Sequence, residues 1–159
     1  FLSSALHHGV NGSARTNHLL LQVDYFAIFI MIAGTVTPFC LLHVKTTYGL
    51  VVLAVLWSLA VGGIILKAVW PKVPKWLMLS IFIGMGWMGL LIAQPVYQVI
   101  RADGLAMLML GGGFYTVGAV IYGLEKPNPF PGRFGFHEIW HCFVLGGTAS
   151  HFFLIYYWL

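Results

Sequence analysis

His137 and His141 lie four residues apart in the stretch Phe136-His-Glu-Ile-Trp-His141. Four residues is about one helical turn, so both imidazoles project from one helix face. Two imidazoles so placed can share one metal ion. A third ligand from another helix would leave the fourth position open, which is the arrangement of catalytic zinc sites. Zinc also suits neutral imidazole nitrogen. His8 is the candidate third ligand, and Asp24 is the candidate group to hold or deprotonate a water beside the metal. Ser4, one turn before His8, shares its helix face. The chemistry open to such a set is metal-assisted hydrolysis.

The segment His137-Glu138-Ile139-Trp140-His141 also matches H-E-x-x-H, in which soluble zinc proteases use the Glu as general base. The continuation is Cys-Phe-Val-Leu-Gly rather than x-x-Gly-x-x-His, and no acidic residue follows Glu138. An intramembrane protease would need another metal-binding acid in a separate span. Asp24 is the one available, and no Asn-Pro-Asp-Gly context surrounds it. Glu138 is rotated by about 100° from His137 and is expected to face the interface. The sequence therefore argues against a protease.

The elements that carry these residues follow from composition. Hydrophobic residues make up 60% of the chain and charged residues 8%, against about 25% charged in a soluble domain. Four acids and eight bases in 159 residues cannot cover a water-facing surface. The expected solvent is lipid. The net charge of +4 is not a clustered basic face, which excludes nucleic acid as a partner.

A bilayer core of about 30 Å needs roughly 20 apolar residues in helix. Five stretches qualify, at about 23–43, 48–69, 76–97, 104–124 and 136–159. None alternates as a barrel strand would, so the predicted fold is an all-α integral membrane helix bundle, one transmembrane domain over 1–159. Residues 1–8 read as the end of a further helix whose beginning is missing. Pro71 and Pro74 break one link, and Lys126-Pro-Asn-Pro-Phe-Pro-Gly-Arg133 breaks another. Pro38 and Pro95 lie inside or near the ends of spans. Many of the 19 glycines fall within spans, where small residues let helices approach closely. Cys40 and Cys142 lie in apolar runs and read as packing residues.

Loop charge gives an orientation. Loops at 9–22, 67–75 and 125–135 carry Arg15, Lys67, Lys72, Lys75, Lys126 and Arg133. The opposite side carries Lys45 and Arg101. Six bases against two place the first set in the cytoplasm and the C-terminus outside. By span parity His8, Asp24, His137 and His141 then share one depth, near the cytoplasmic face. Ionisable groups at such positions are functional suspects. His151 lies deeper in the last span and is not counted as a ligand.

Three motifs in order resemble the hemolysin III proteins, part of the progestin and adipoQ receptor family that includes the adiponectin receptors. They are Ser4-Ala-Leu-His-His8; Val23-Asp-Tyr-Phe-Ala-Ile28 with Ala33-Gly-Thr-Val-Thr-Pro-Phe39; and Phe136-His-Glu-Ile-Trp-His-Cys-Phe-Val144 with His151-Phe152. Gly84-Met-Gly-Trp87 and Gly112-Gly-Phe-Tyr-Thr-Val-Gly118 also fit. The resemblance covers essentially the whole chain. It implies a seven-helix architecture with the N-terminus inside. It also implies zinc on His8, His137 and His141, with Ser4 and Asp24 as the accompanying Ser and Asp. Ser3-x-x-x-His7 has the same spacing as Ser4-x-x-x-His8; His8 is preferred because His7 fills the place of an aromatic residue before the ligand.

The resemblance further implies hydrolysis of a lipid amide or ester bearing an acyl chain, as in the ceramidase-linked receptors. The alternatives are a cytolytic membrane protein, or a receptor or sensor in which zinc is structural. The compact loops and the resemblance point to a bacterial inner membrane.

Overall fold

The first helix, α1, is short and covers Leu2–Gly9. Ser13 then starts α2, Ala14–Leu42, by accepting a hydrogen bond from the Thr16 N–H at 3.2 Å. A helix start leaves several N–H groups free, and a serine oxygen satisfies one of them. This cap is why α2 begins at Ala14, well before the apolar run expected from about 23. Thr46 caps α3, Thr47–Val69, in the same way through the Gly49 N–H.

The prolines at 71 and 74 end that run, and α4 covers Lys75–Trp87. A 3-10 segment, Met88–Ile92, joins α4 to α5, Ala93–Leu124. Pro95 falls in the first turn of α5, where a missing N–H breaks no helix bond. Arg101 interrupts α5 with φ 56° and ψ −165°, and the chain doubles back there. Lys75 at the start of this stretch pairs with Glu125 at its end. Trp87 Nε1 donates to Thr116 Oγ1 at 3.1 Å. The two arms of Lys75–Leu124 therefore lie antiparallel, one over each of the stretches expected at 76–97 and 104–124.

The last helix, α6, covers Phe136–Trp158. Glu138 Oε2 accepts from the Gly135 N–H at 2.8 Å, the back-bond of a capping box. The computed structural model describes residues 1–158, and the expected end of the last span at Leu159 lies outside them. Among the described residues the architecture is all helix, with one isolated bridge between Phe130 and Phe134. Four helical stretches among the described residues are long and apolar enough to cross a membrane: Ala14–Leu42, Thr47–Val69, Lys75–Leu124 and Phe136–Trp158.

Two pairings dominate, α2 on α3 and α5 on α6. Both depend on glycine at the closest approach. The Phe29 ring of α2 occupies the place a Cβ on Gly63 would take, 2.2 Å from that position. On α5, Gly104, Gly111 and Gly118 recur every seven residues and are all buried. They receive Leu154, His151 and Phe143 of α6. Close packing of this kind holds membrane helices together, since lipid is as apolar as the core. The core itself gathers Phe29, Phe39, Leu56, Met78, Met85 and Ile100. The outward faces are also apolar, as with Leu50, Val55, Leu59 and Ile65 of α3. That inside-out surface fits a hydrocarbon solvent.

Lys67, read from sequence as a loop residue, is in the last turn of α3 and is buried. Its Nζ donates to the Pro71 carbonyl at 2.8 Å and lies 4.2 Å from the centre of the Tyr25 ring. A buried ammonium needs such partners.

Candidate metal centre

α1 ends, α2 begins and α6 begins at one end of the bundle, and this brings their polar residues together. His137 Nε2 is 3.2 Å from His8 Nε2 and 3.1 Å from His141 Nε2. The three ligand nitrogens all lie within 4.8 Å of one another. His137 and His141 are half-buried, and His8 is exposed.

Hydrogen bonding alone accounts poorly for this cluster. A neutral imidazole nitrogen carries either one hydrogen or one lone pair. His137 Nε2 has two nitrogen neighbours and cannot donate to one while accepting from the other. A single cation between the rings would use one lone pair from each. The donor set and its spacing can therefore hold one metal ion.

The local sequence positions the rings. The spacing of His137 and His141 stacks them on one face of α6. Asn128 fixes the start of that helix: its Oδ1 accepts from the Phe136 N–H at 3.1 Å, and its Nδ2 donates to the Glu125 carbonyl at 2.9 Å. Trp140 packs on His141 with ring centres 4.6 Å apart, and Tyr122 of α5 lies 5.8 Å from His137. Gly118 leaves room for Trp140, whose Cδ1 would be 3.3 Å from a Cβ there. These neighbours restrict the imidazoles to few orientations.

Asp24, on α2, lines the same cavity as the three histidines. Its Oδ1 accepts a hydrogen bond from Ser3 Oγ at 3.2 Å. Ser4 also lines the cavity, but the hydroxyl that reaches Asp24 belongs to Ser3. His7 stands outside the cluster, and its Nδ1 is buried without a partner among the described residues. Glu138 is exposed and serves the cap of α6, so it does not act as a base beside the histidines.

The sequence offers Ser3 only as the alternative to Ser4, and it does not single out Asn128, Tyr122 or Trp140. Trp140 lies inside the Phe136–His141 segment, between the two histidine ligands. The contribution of Asn128 depends on a loop path that no periodicity reveals.

The cavity has a volume of about 460 Å³. Below the histidines its wall is mainly apolar, with Met31, Phe82, Leu108 and Val144, and it reaches Phe39 and Val96 near the other end of the bundle. A long, mainly apolar channel with the histidine cluster at one end suits an amphiphile.

These features define a multi-pass integral membrane protein with a candidate metal centre between its helices. The chain belongs to the Haemolysin-III related family, whose model matches residues 1–152. It is 39% identical to a Hemolysin-3 homolog of Bacillus subtilis over 99% of this chain and 71% of that protein. It is 37% identical to Hemolysin-3 of Bacillus cereus over 100% of this chain and 69% of that protein. At 28% identity it resembles the human Monocyte to macrophage differentiation factor, over 89% of this chain and 56% of that protein. No solved structure matches the chain.

Proposed function

We propose that this protein is a zinc-dependent membrane hydrolase that cleaves an amide or ester of an acyl lipid at the cytoplasmic face of a bacterial inner membrane. The observation that carries the reading is the convergence of three histidine nitrogens at the polar end of an apolar cavity. Imidazole nitrogens on a tetrahedral zinc, with bonds of about 2.0–2.1 Å, lie about 3.3 Å apart. The spacings of 3.1 and 3.2 Å at His137 fit that geometry.

His8, His137 and His141 would hold the ion. Bound there, zinc supplies Lewis-acid polarisation of a carbonyl and acidifies a water at neutral pH. Asp24 takes the proton from the attacking water and passes it to the leaving amine or alcohol. Ser3 Oγ fixes the Asp24 carboxylate, and Ser4 stands on the same cavity wall to donate to the substrate's polar head. The apolar cavity holds the acyl chain away from water. The excess of basic residues at this end supports a cytoplasmic site, with the C-terminus outside.

The test is fatty-acid release from lipid amides and esters by the zinc-loaded protein in detergent or nanodiscs. Asp24→Ala should abolish release and retain zinc. No release from any acyl lipid, with unfolding on chelation, would replace this reading with a structural metal. The name of the Bacillus cereus relative, Hemolysin-3, favours cytolysis as a second reading. Lysis of red cells that survives His137→Ala would assign that activity to a part of the protein independent of the metal.

A further inference from the structure

The cavity has a second polar group, well away from the histidine cluster. His151, Thr148 and Tyr115 all line it. Thr148 and His151 follow His141 by seven and ten residues on α6, about 10 Å and 15 Å along the helix axis. Counted from His137 the offsets are 11 and 14 residues, within about 20° and 40° of whole turns, so these side chains share the cavity-facing side of α6 with His137.

The bonding at His151 fixes what it can offer. Its Nε2 is 3.3 Å from the Leu108 carbonyl oxygen of α5. A carbonyl only accepts, so Nε2 carries the hydrogen and Nδ1 of the neutral ring is an acceptor. No described residue donates to Nδ1. The ring is packed against Gly111, in the place a Cβ there would take, 2.4 Å from Nε2, and the contact with Leu108 orients it. Beside it, 5.5 Å between ring centres, is Tyr115, whose hydroxyl is bonded to Thr148 Oγ1 at 2.8 Å. Nδ1 is open to the cavity rather than sealed in the packing, so a ligand hydroxyl lying there can donate to it.

From this juxtaposition of a fixed imidazole acceptor and a hydroxyl pair we infer that His151, Thr148 and Tyr115 select lipids whose long chain carries a hydroxyl group remote from the scissile bond. His151 accepts from that hydroxyl, and the Tyr115–Thr148 pair can donate to or accept from its oxygen. The inference rests on the acyl chain occupying the cavity, as in the hydrolase reading. It does not depend on any bond being cleaved there.

The test is therefore a binding measurement on the metal-stripped full chain in nanodiscs. A fluorescent fatty acid is displaced by octadecanoate, by its mid-chain hydroxy derivative, and by the isomer with the hydroxyl next to the carboxyl. The mid-chain hydroxy acid should bind about five- to tenfold tighter than the other two, the size of one net hydrogen bond. His151→Leu should remove the preference while leaving octadecanoate binding in place. His151→Gln, which keeps a donor for Leu108 and an acceptor for the ligand, should restore part of it. If His151→Leu does not fold, Thr148→Val is read instead and should reduce the preference at unchanged octadecanoate affinity. Equal affinity of the wild-type chain for all three acids overturns the inference, as does a preference that survives in His151→Leu. A hydroxyl preference without lipid hydrolysis would sink the hydrolase alone. Hydrolysis without the preference would sink this inference alone.

Discussion

His8 Nε2 and His137 Nε2 lie 3.2 Å apart although 129 residues separate them in the chain. α1 and α6 meet at that point, and the contact ties the first described helix to the last. Each histidine of the cluster should be needed for metal. Wild-type protein purified without chelator is expected to hold about one zinc per chain. His8→Ala and His141→Ala should each lose more than the 10–100-fold in affinity that an outer-shell partner typically costs. His7→Ala should keep the metal, since His7 is outside the cluster. Elemental analysis of the four proteins checks this, and retention in His8→Ala with loss in His7→Ala would exchange the two roles.

The Ser3–Asp24 hydrogen bond separates two neighbouring serines. A hydrogen bond to a charged group is worth about 1.5–3 kcal/mol, or about 10–100-fold in rate when it positions a catalytic carboxylate. Ser3→Ala should lower turnover by about that factor at unchanged zinc content. Ser4→Ala should have a smaller effect, expressed mainly in KM, because Ser4 lines the cavity without reaching Asp24. The reverse order of the two variants would return the role to Ser4.

The helices were legible because lipid imposes long apolar runs, and few other patterns produce them. The pairing of His8 with His137 and His141 was legible from span parity, which uses only where the loops fall. The choice between Ser3 and Ser4 was not. Both follow the same i, i+4 spacing to a histidine, and which one faces Asp24 depends on how α1 is rotated against α2. The early start of α2 was also hidden, because Ser13 acts through one backbone hydrogen bond rather than through hydropathy. The glycines at 104, 111 and 118 were visible as small residues, but their seven-residue register gains meaning only once α6 is known to lie on them.

That register makes a graded stability prediction. A Cβ at Gly111 would lie 2.4 Å from His151, whereas one at Gly113 would meet nothing within 4 Å. Overpacking a tight contact costs about 1–3 kcal/mol. Gly111→Ala should therefore lower the midpoint of thermal unfolding in detergent. Gly113→Ala, with open space and better helix propensity, should be neutral or slightly stabilising. Equal effects at the two positions would contradict the close approach of α5 and α6.

Asn128 joins the end of α5 to the start of α6 through two hydrogen bonds of its amide, one to the Glu125 carbonyl and one from the Phe136 N–H. His137 is the next residue, so the loop amide holds the helix turn that presents a metal ligand. Asn128→Ala removes both bonds and should cost about 1–2 kcal/mol, the range for losing a helix cap. It should also weaken zinc binding, with the ligands themselves unchanged. Asn128→Asp keeps the acceptor for the Phe136 N–H and adds a negative charge at the helix start, where the macrodipole favours it. It should recover most of the metal affinity despite losing the bond to Glu125. Chelator competition on the three proteins measures the order, wild type above Asp above Ala. Alanine and aspartate variants that bind zinc as tightly as the wild type would show that α6 presents His137 without help from this loop.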